Sequence, residues 1–117
     1  MHREHVSCLK LLAGCLLMTL HATAAGAFDW TTPAKVTVIE PSYMPGWISF
    51  QIGASVGTCP SGTWLQWTAQ GADQSSRIAN VQAVYSTLLT AMMANRTLTF
   101  FGVNAGCKVE HIHLIGI

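Results

Sequence analysis

Apolar and polar residues alternate along much of this chain, and the period changes once. Lys35 to Glu40, KVTVIE, is β-branched and alternating, which predicts a strand. Pro41-Ser42-Tyr43-Met44-Pro45-Gly46 holds two prolines and a glycine and predicts a turn. Trp47 to Ala54, WISFQIGA, alternates again: Ile48, Phe50 and Ile52 share one face, Trp47, Ser49 and Gln51 the other. These two segments are expected to pair as an antiparallel hairpin. After a loop, Ser55 to Gly62, the stretch Thr63 to Gln70 predicts a third strand, with Leu65, Trp67 and Ala69 inward and Trp64 and Gln66 outward.

The period then lengthens. From Asn80 to Ala94 apolar residues fall at Val81, Val84, Tyr85, Leu88, Leu89 and Met92, the spacing of an amphipathic helix. Asn80 is the expected N-cap, and Asn95 the expected left-handed residue at the stop. Gly71 to Arg77 reads as a polar loop before it, and residues 28–34, FDWTTPA, as an irregular lead-in. Thr97 to Val103 predicts the fourth strand and Cys107 to Ile117 the last, joined by the turn Asn104-Ala105-Gly106.

The last strand breaks its own alternation. Cys107 and Val109 share parity with His111 and His113, whereas Ile112 and Leu114 take the other parity. For Val109 and Ile112 both to face the core, the register must shift near Glu110, as a β-bulge allows. The two histidines then turn away from the core.

The N-terminus changes what counts as the domain. Arg3 and Lys10 make a basic start, Leu11 to Leu20 an apolar run, and Ala22-Thr23-Ala24-Ala25-Gly26-Ala27 a small-residue segment. That is the layout of a secretory signal peptide over residues 1–27, cleaved after Ala27 or, as the alternative, after Ala24. The apolar run is too short for a membrane span, and no later stretch is longer. Leu12-Ala13-Gly14-Cys15 resembles a lipobox, but Lys10 lies too close before Cys15 to leave it an apolar stretch. The expected product is one domain over residues 28–117, secreted or periplasmic.

Charge excludes some partners. Lys35, Arg77, Arg96 and Lys108 balance Asp29, Glu40, Asp73 and Glu110, so the +1 of the whole chain resides in the leader. A neutral domain with so few charges has no footprint for nucleic acid or for anionic lipid. Its weakly charged surface suits either self-association or a plain polar exterior. Removing the leader takes Cys8 and Cys15 with it and leaves Cys59 and Cys107. In an oxidising compartment a disulfide is the default for such a pair, with a free-thiol or metal role as the alternative.

The order β-β-β-α-β-β, with one helix between strands three and four, suits a five-stranded OB-like barrel. The stretches TCPSGTWLQW, NVQAVYSTLLTAMMANRTLTFFG and GCKVEHIHLI resemble the B subunits of pentameric AB-type bacterial toxins, in the subtilase-cytotoxin and pertussis-like branch. The likeness covers about residues 36–117. It implies a mainly β, OB-like barrel, a Cys59–Cys107 bridge, a homopentamer, and binding to cell-surface glycans or a protein partner. In that branch a serine near the start of strand one contacts sialic acid. The matching stretch here is Pro33-Ala34-Lys35, where the nearest hydroxyls are Thr31 and Thr32.

Four tryptophans stand in a small domain, and aromatic faces stack on sugars. Trp67 shares the inward parity of Leu65, whereas Trp47 and Trp64 point outward. Thr31, Thr32, Ser42, Tyr43, Trp47 and Trp64 are therefore the candidate binding surface. The alternative is a structural or protein-interaction domain with no small ligand. His111 and His113 lie about 6.5–7 Å apart on one strand face, but a closed zinc site needs about four ligands, and the expected domain holds no third histidine. No metal, cofactor or catalytic residue is assigned, since no nucleophile elbow, phosphate loop or dinucleotide fingerprint occurs.

Overall fold

The computed structural model describes residues 27–116. The expected leader, with Cys8 and Cys15, lies outside them except for Ala27. The described chain is mainly β, with one six-stranded sheet, one helix and one disulfide. The strands are β1 (Trp30–Ala34), β2 (Val36–Glu40), β3 (Trp47–Ile52), β4 (Leu65–Thr68), β5 (Leu98–Val103) and β6 (Lys108–Leu114). The helix α1 (Gln74–Met93) lies between β4 and β5. The sheet order is β1-β5-β6-β4-β3-β2, antiparallel throughout except where β4 meets β6 in parallel.

Strand number and order differ from the five-stranded barrel expected. The extra strand is the segment expected to be irregular. Trp30 to Ala34 pairs with Gly102 to Leu98, and Pro33 is tolerated because β1 forms an edge of the sheet. Only Lys35 separates β1 from β2, yet these two strands form opposite edges of the sheet. Trp30 and Ala34 are buried in the core.

The helix also begins earlier than the apolar period indicates. Asp73, not Asn80, is the N-cap: its carboxylate accepts the Ser76 amide at 2.7 Å. The first helical turn, Gln74 to Arg77, is polar and exposed, so the apolar period carries no trace of it. The stop matches expectation. Asn95 takes φ 55°, and the Asn95 and Arg96 amides donate to Met92 and Ala91 carbonyls, a Schellman arrangement.

The core is assembled from the inward parities of the strands and one helix face. Ile48, Phe50 and Ile52 of β3, Leu65 and Trp67 of β4, and Leu98 and Phe100 of β5 are buried with Val81, Leu88 and Ala91 of α1. Phe50 and Phe100 meet at 5.7 Å between ring centres. Two bulges correct the alternation. On β2 the register shifts between Val36 and Val38, so Val36 points inward while Val38 and Glu40 face outward with Gln51 and Ser49. On β6, Gly102 pairs with Val109 and Phe101 with His111, leaving Glu110 as the extra residue. The bulge expected near Glu110 is therefore present, and both histidines are exposed beyond it.

Cys59 and Cys107 form the disulfide, with Cα atoms 6.1 Å apart. It ties the loop before β4 to the residue that precedes β6. Asn104 fastens the same corner: its side-chain oxygen accepts the Thr58 amide at 2.9 Å, and its own amide donates to Asp29 at 2.8 Å. No helix among the described residues is long and apolar enough to cross a membrane.

Candidate functional site

The outer face of β2 and β3, with the residue before β4, brings Tyr43, Trp47 and Trp64 together. The β2–β3 connection folds through successive turns: Met44 N–H donates to the Pro41 carbonyl at 3.1 Å, and Gly46 N–H to the Tyr43 carbonyl at 3.0 Å. The Met44–Pro45 peptide is cis. The Gly46 carbonyl also accepts the Ala69 amide at 3.1 Å, which anchors the turn to the end of β4. These bonds set Tyr43 over Trp47. Their rings lie 4.9 Å apart and within 11° of parallel.

Trp64 enters from the residue before β4 and is 48% exposed, while Tyr43 is 52% exposed. Between the aromatic side chains lies an open groove of about 460 Å³, lined by Glu40, Tyr43, Trp47, Ser49 and Trp64. Ser49 lies on β3, paired with Glu40 of the edge strand β2 on one side and Gln66 of β4 on the other. Glu40 is the one charged residue among those lining the groove.

Ser42 fixes that charge. Its amide donates to Glu40 Oε1 at 3.0 Å. Hydrogen bonds from the Ser42 side chain and then from its backbone hold the Glu40 carboxyl below its ordinary range, outweighing the slight opposing effect of burial. Glu40 is thus an anion at neutral pH. An ionised carboxylate offers about four acceptor positions, so the Ser42 bonds leave capacity for further hydroxyl donors.

Of the residues the sequence pointed to, Tyr43, Trp47 and Trp64 line the groove, and Ser42 supports it through Glu40. Thr31 and Thr32 do not join them. They lie on β1, paired with Phe101 and Phe100, and line no part of this groove. Glu40 and Ser49 line the groove as well, although neither stands among the residues expected from the sequence. Ser49 was legible, since it shares the outward parity of Trp47. Glu40 was not, because strict alternation puts it on the face of Val36, and the β2 bulge turns it over.

A second aromatic cluster covers the outer face of β5 and β6. Phe28 approaches His111 edge-on at 5.0 Å and Phe101 at 5.5 Å, and Phe101 meets His113 at 4.6 Å. The histidines are thus packed against aromatic rings. No group of three or more potential ligands among His, Cys, Asp and Glu occurs among the described residues.

No family model, curated protein or solved structure matches this chain.

Proposed function

We propose that this protein is an exported, non-enzymatic module that binds glycans through the groove on the outer face of β2–β4. The observation that carries this reading is the Tyr43–Trp47 stack, with Trp64 and the Glu40 carboxylate around one groove. Aromatic faces take the apolar C–H face of a sugar, and the carboxylate, with the Ser49 hydroxyl, takes its hydroxyl groups. A groove of this volume falls within the usual range of small-ligand sites.

The strand order supports an OB-type barrel as the scaffold. With β1 and β2 counted as one strand bent at Lys35, the observed order begins and ends on that strand, and five strands remain. In such barrels the face of the second and third strands, with the preceding loop, is where oligosaccharides and oligonucleotides bind. The groove is lined from β3, the loop of Tyr43, the end of β2 and Trp64 just before β4, which is close to that face. The domain's balanced charge argues against the oligonucleotide. The disulfide and the signal-like N-terminus support a secreted or periplasmic location.

A glycan array probed with the purified protein tests the reading. Enrichment for at least one sugar class is expected, with its loss in Trp64→Ala. Absence of enrichment for any sugar overturns it.

The second reading is an assembly or protein-interaction role, and a separate surface favours it. Met93, Leu114 and Ile115 are exposed, and the Arg96 guanidinium donates to the Ile115 carbonyl at 3.1 Å, joining the helix exit to the end of β6. Such a surface suits a ring of copies, and a pentamer is the form the toxin resemblance implies. Light scattering after size exclusion tests it: five subunits support the ring, and a strict monomer excludes it.

A further inference from the structure

We infer that the groove takes an uncharged pyranose and discriminates against acidic sugars, including sialic acid. The inference rests on the glycan reading above and names the class of sugar.

The charge of the groove carries it. Glu40 is an anion among the lining residues, and neither Lys nor Arg stands among them. A guanidinium or ammonium group pairs strongly with the carboxylate of an acidic sugar, and this groove offers neither. Here a sugar carboxylate would meet a like charge, held in place by Ser42. A like charge within a few ångströms disfavours binding even in water. A neutral sugar meets no such penalty, and a pair of its neighbouring hydroxyls can donate to the two carboxylate oxygens.

The shape of the aromatic surface separates a neutral sugar from a cation. Recognition of an ammonium group uses aromatic rings set as walls around it. Tyr43 and Trp47 are instead within 11° of parallel and stacked on each other, so they offer a ligand an outer ring face and not a cage. A flat ring face fits the C–H face of a pyranose ring. Trp64, from the residue before β4, lines the groove with them, and Ser49 adds its hydroxyl.

The test uses the purified protein and glycans printed in pairs, each with a neutral terminal sugar and the same glycan capped by sialic acid. A preference of about tenfold or more for the uncapped member is expected, the scale of one charge-assisted contact. In Glu40→Gln, whose thermal midpoint should match that of the original protein, the ratio should fall to within about threefold. Equal or tighter binding of the capped glycans overturns the inference, as does an unchanged ratio in Glu40→Gln. Both results leave the glycan reading standing. Absence of binding to every sugar removes the glycan reading, and this one with it.

Discussion

The indole Nε1 of Trp67 donates to Oδ1 of Asn80 at 2.9 Å, joining the core of β4 to the helix α1. The same oxygen accepts the Gln70 amide at 3.0 Å. One amide side chain therefore satisfies a core indole and the strand exit. Trp67 is 5% exposed, so without Asn80 its N–H would have no protein partner in view of solvent-poor surroundings. Asn80→Leu is expected to cost about 1–3 kcal/mol, the usual penalty of an orphaned buried donor. In a domain of this size each kcal/mol lowers the thermal midpoint by about 4–8 °C. Trp67→Phe combined with Asn80→Leu should cost less than the sum of the two, since the combination leaves no orphaned indole. Thermal unfolding of the three variants checks this; strict additivity would deny the coupling.

Asn80 also shows where the sequence is legible and where it is not. It stands just before the first apolar residue of the helical period, so pattern alone makes it a cap. The true cap, Asp73, is followed by Gln74, Ser75, Ser76 and Arg77, which face solvent and carry no period. β1 was hidden for a related reason. In WTTPA the two inward residues, Trp30 and Ala34, are separated by a half-buried threonine rather than an apolar residue, and Pro33 argues against a strand. By contrast, β3 and β4 bury every second residue, so the outward Trp47 of β3 and Trp64 just before β4 were readable from parity. The groove was half legible on this account. Trp47 and Trp64 follow from alternation, Tyr43 sits in the turn between the strands, and Glu40 joins them through a bulge that no local pattern announces.

The Cys59–Cys107 bridge spans 48 residues of sequence and joins two segments that otherwise meet through Asn104. Cross-linking residues so far apart restricts the unfolded chain, and loss of a native disulfide in a small domain costs about 2–5 kcal/mol. Reduction should therefore lower the thermal midpoint strongly. Cys59 is 2% exposed, so reductant should act slowly on the folded protein and quickly once it unfolds. Unfolding curves with and without dithiothreitol check both statements; coincident curves would contradict the first.

Gly102 is required by Trp30. A Cβ at residue 102 would fall within the Trp30 indole and against the Lys108 carbonyl. Overpacking of this kind costs typically about 1–3 kcal/mol. Gly102→Ala should therefore destabilise the domain and displace β1 from β5. At Gly53 an added Cβ meets Thr37 Cγ2 at 3.7 Å, an ordinary contact, so Gly53→Ala serves as the control within about 0.5 kcal/mol. Denaturant titration of both variants separates them, and equal midpoints would rule out the Trp30 contact as the cause.

The Asp73 cap gives the helix a pH dependence with a definite sign. Hydrogen bonds from the Ser76 backbone and then its side chain hold the Asp73 carboxyl below its ordinary value of 3.8. A carboxyl whose folded pKa is depressed stabilises the fold above its unfolded pKa, and that contribution is lost as pH falls through the folded value. Asp73→Ala should thus be less stable than the original protein at neutral pH. The difference between the two should shrink below the ordinary aspartate value. Midpoints measured from neutral pH down to acid check it. A difference that persists undiminished in acid would mean that the carboxylate is not its source.

The four tryptophans divide cleanly by exposure, and fluorescence reads that division. Trp30 and Trp67 are 7% and 5% exposed, Trp47 is half-buried and Trp64 is 48% exposed. A polar quencher such as acrylamide reaches exposed indoles far more readily than buried ones, so most quenchable emission should come from Trp64 and Trp47. Trp64→Phe is expected to remove more of that component than Trp67→Phe, and to leave the thermal midpoint nearly unchanged because the side chain fills no core space. A sugar seated between Trp64 and the Tyr43–Trp47 stack would shield the same indoles, so quenching should decrease as a bound glycan is titrated in. Protection that survives Trp64→Phe and Trp47→Phe together would place the ligand elsewhere on the domain.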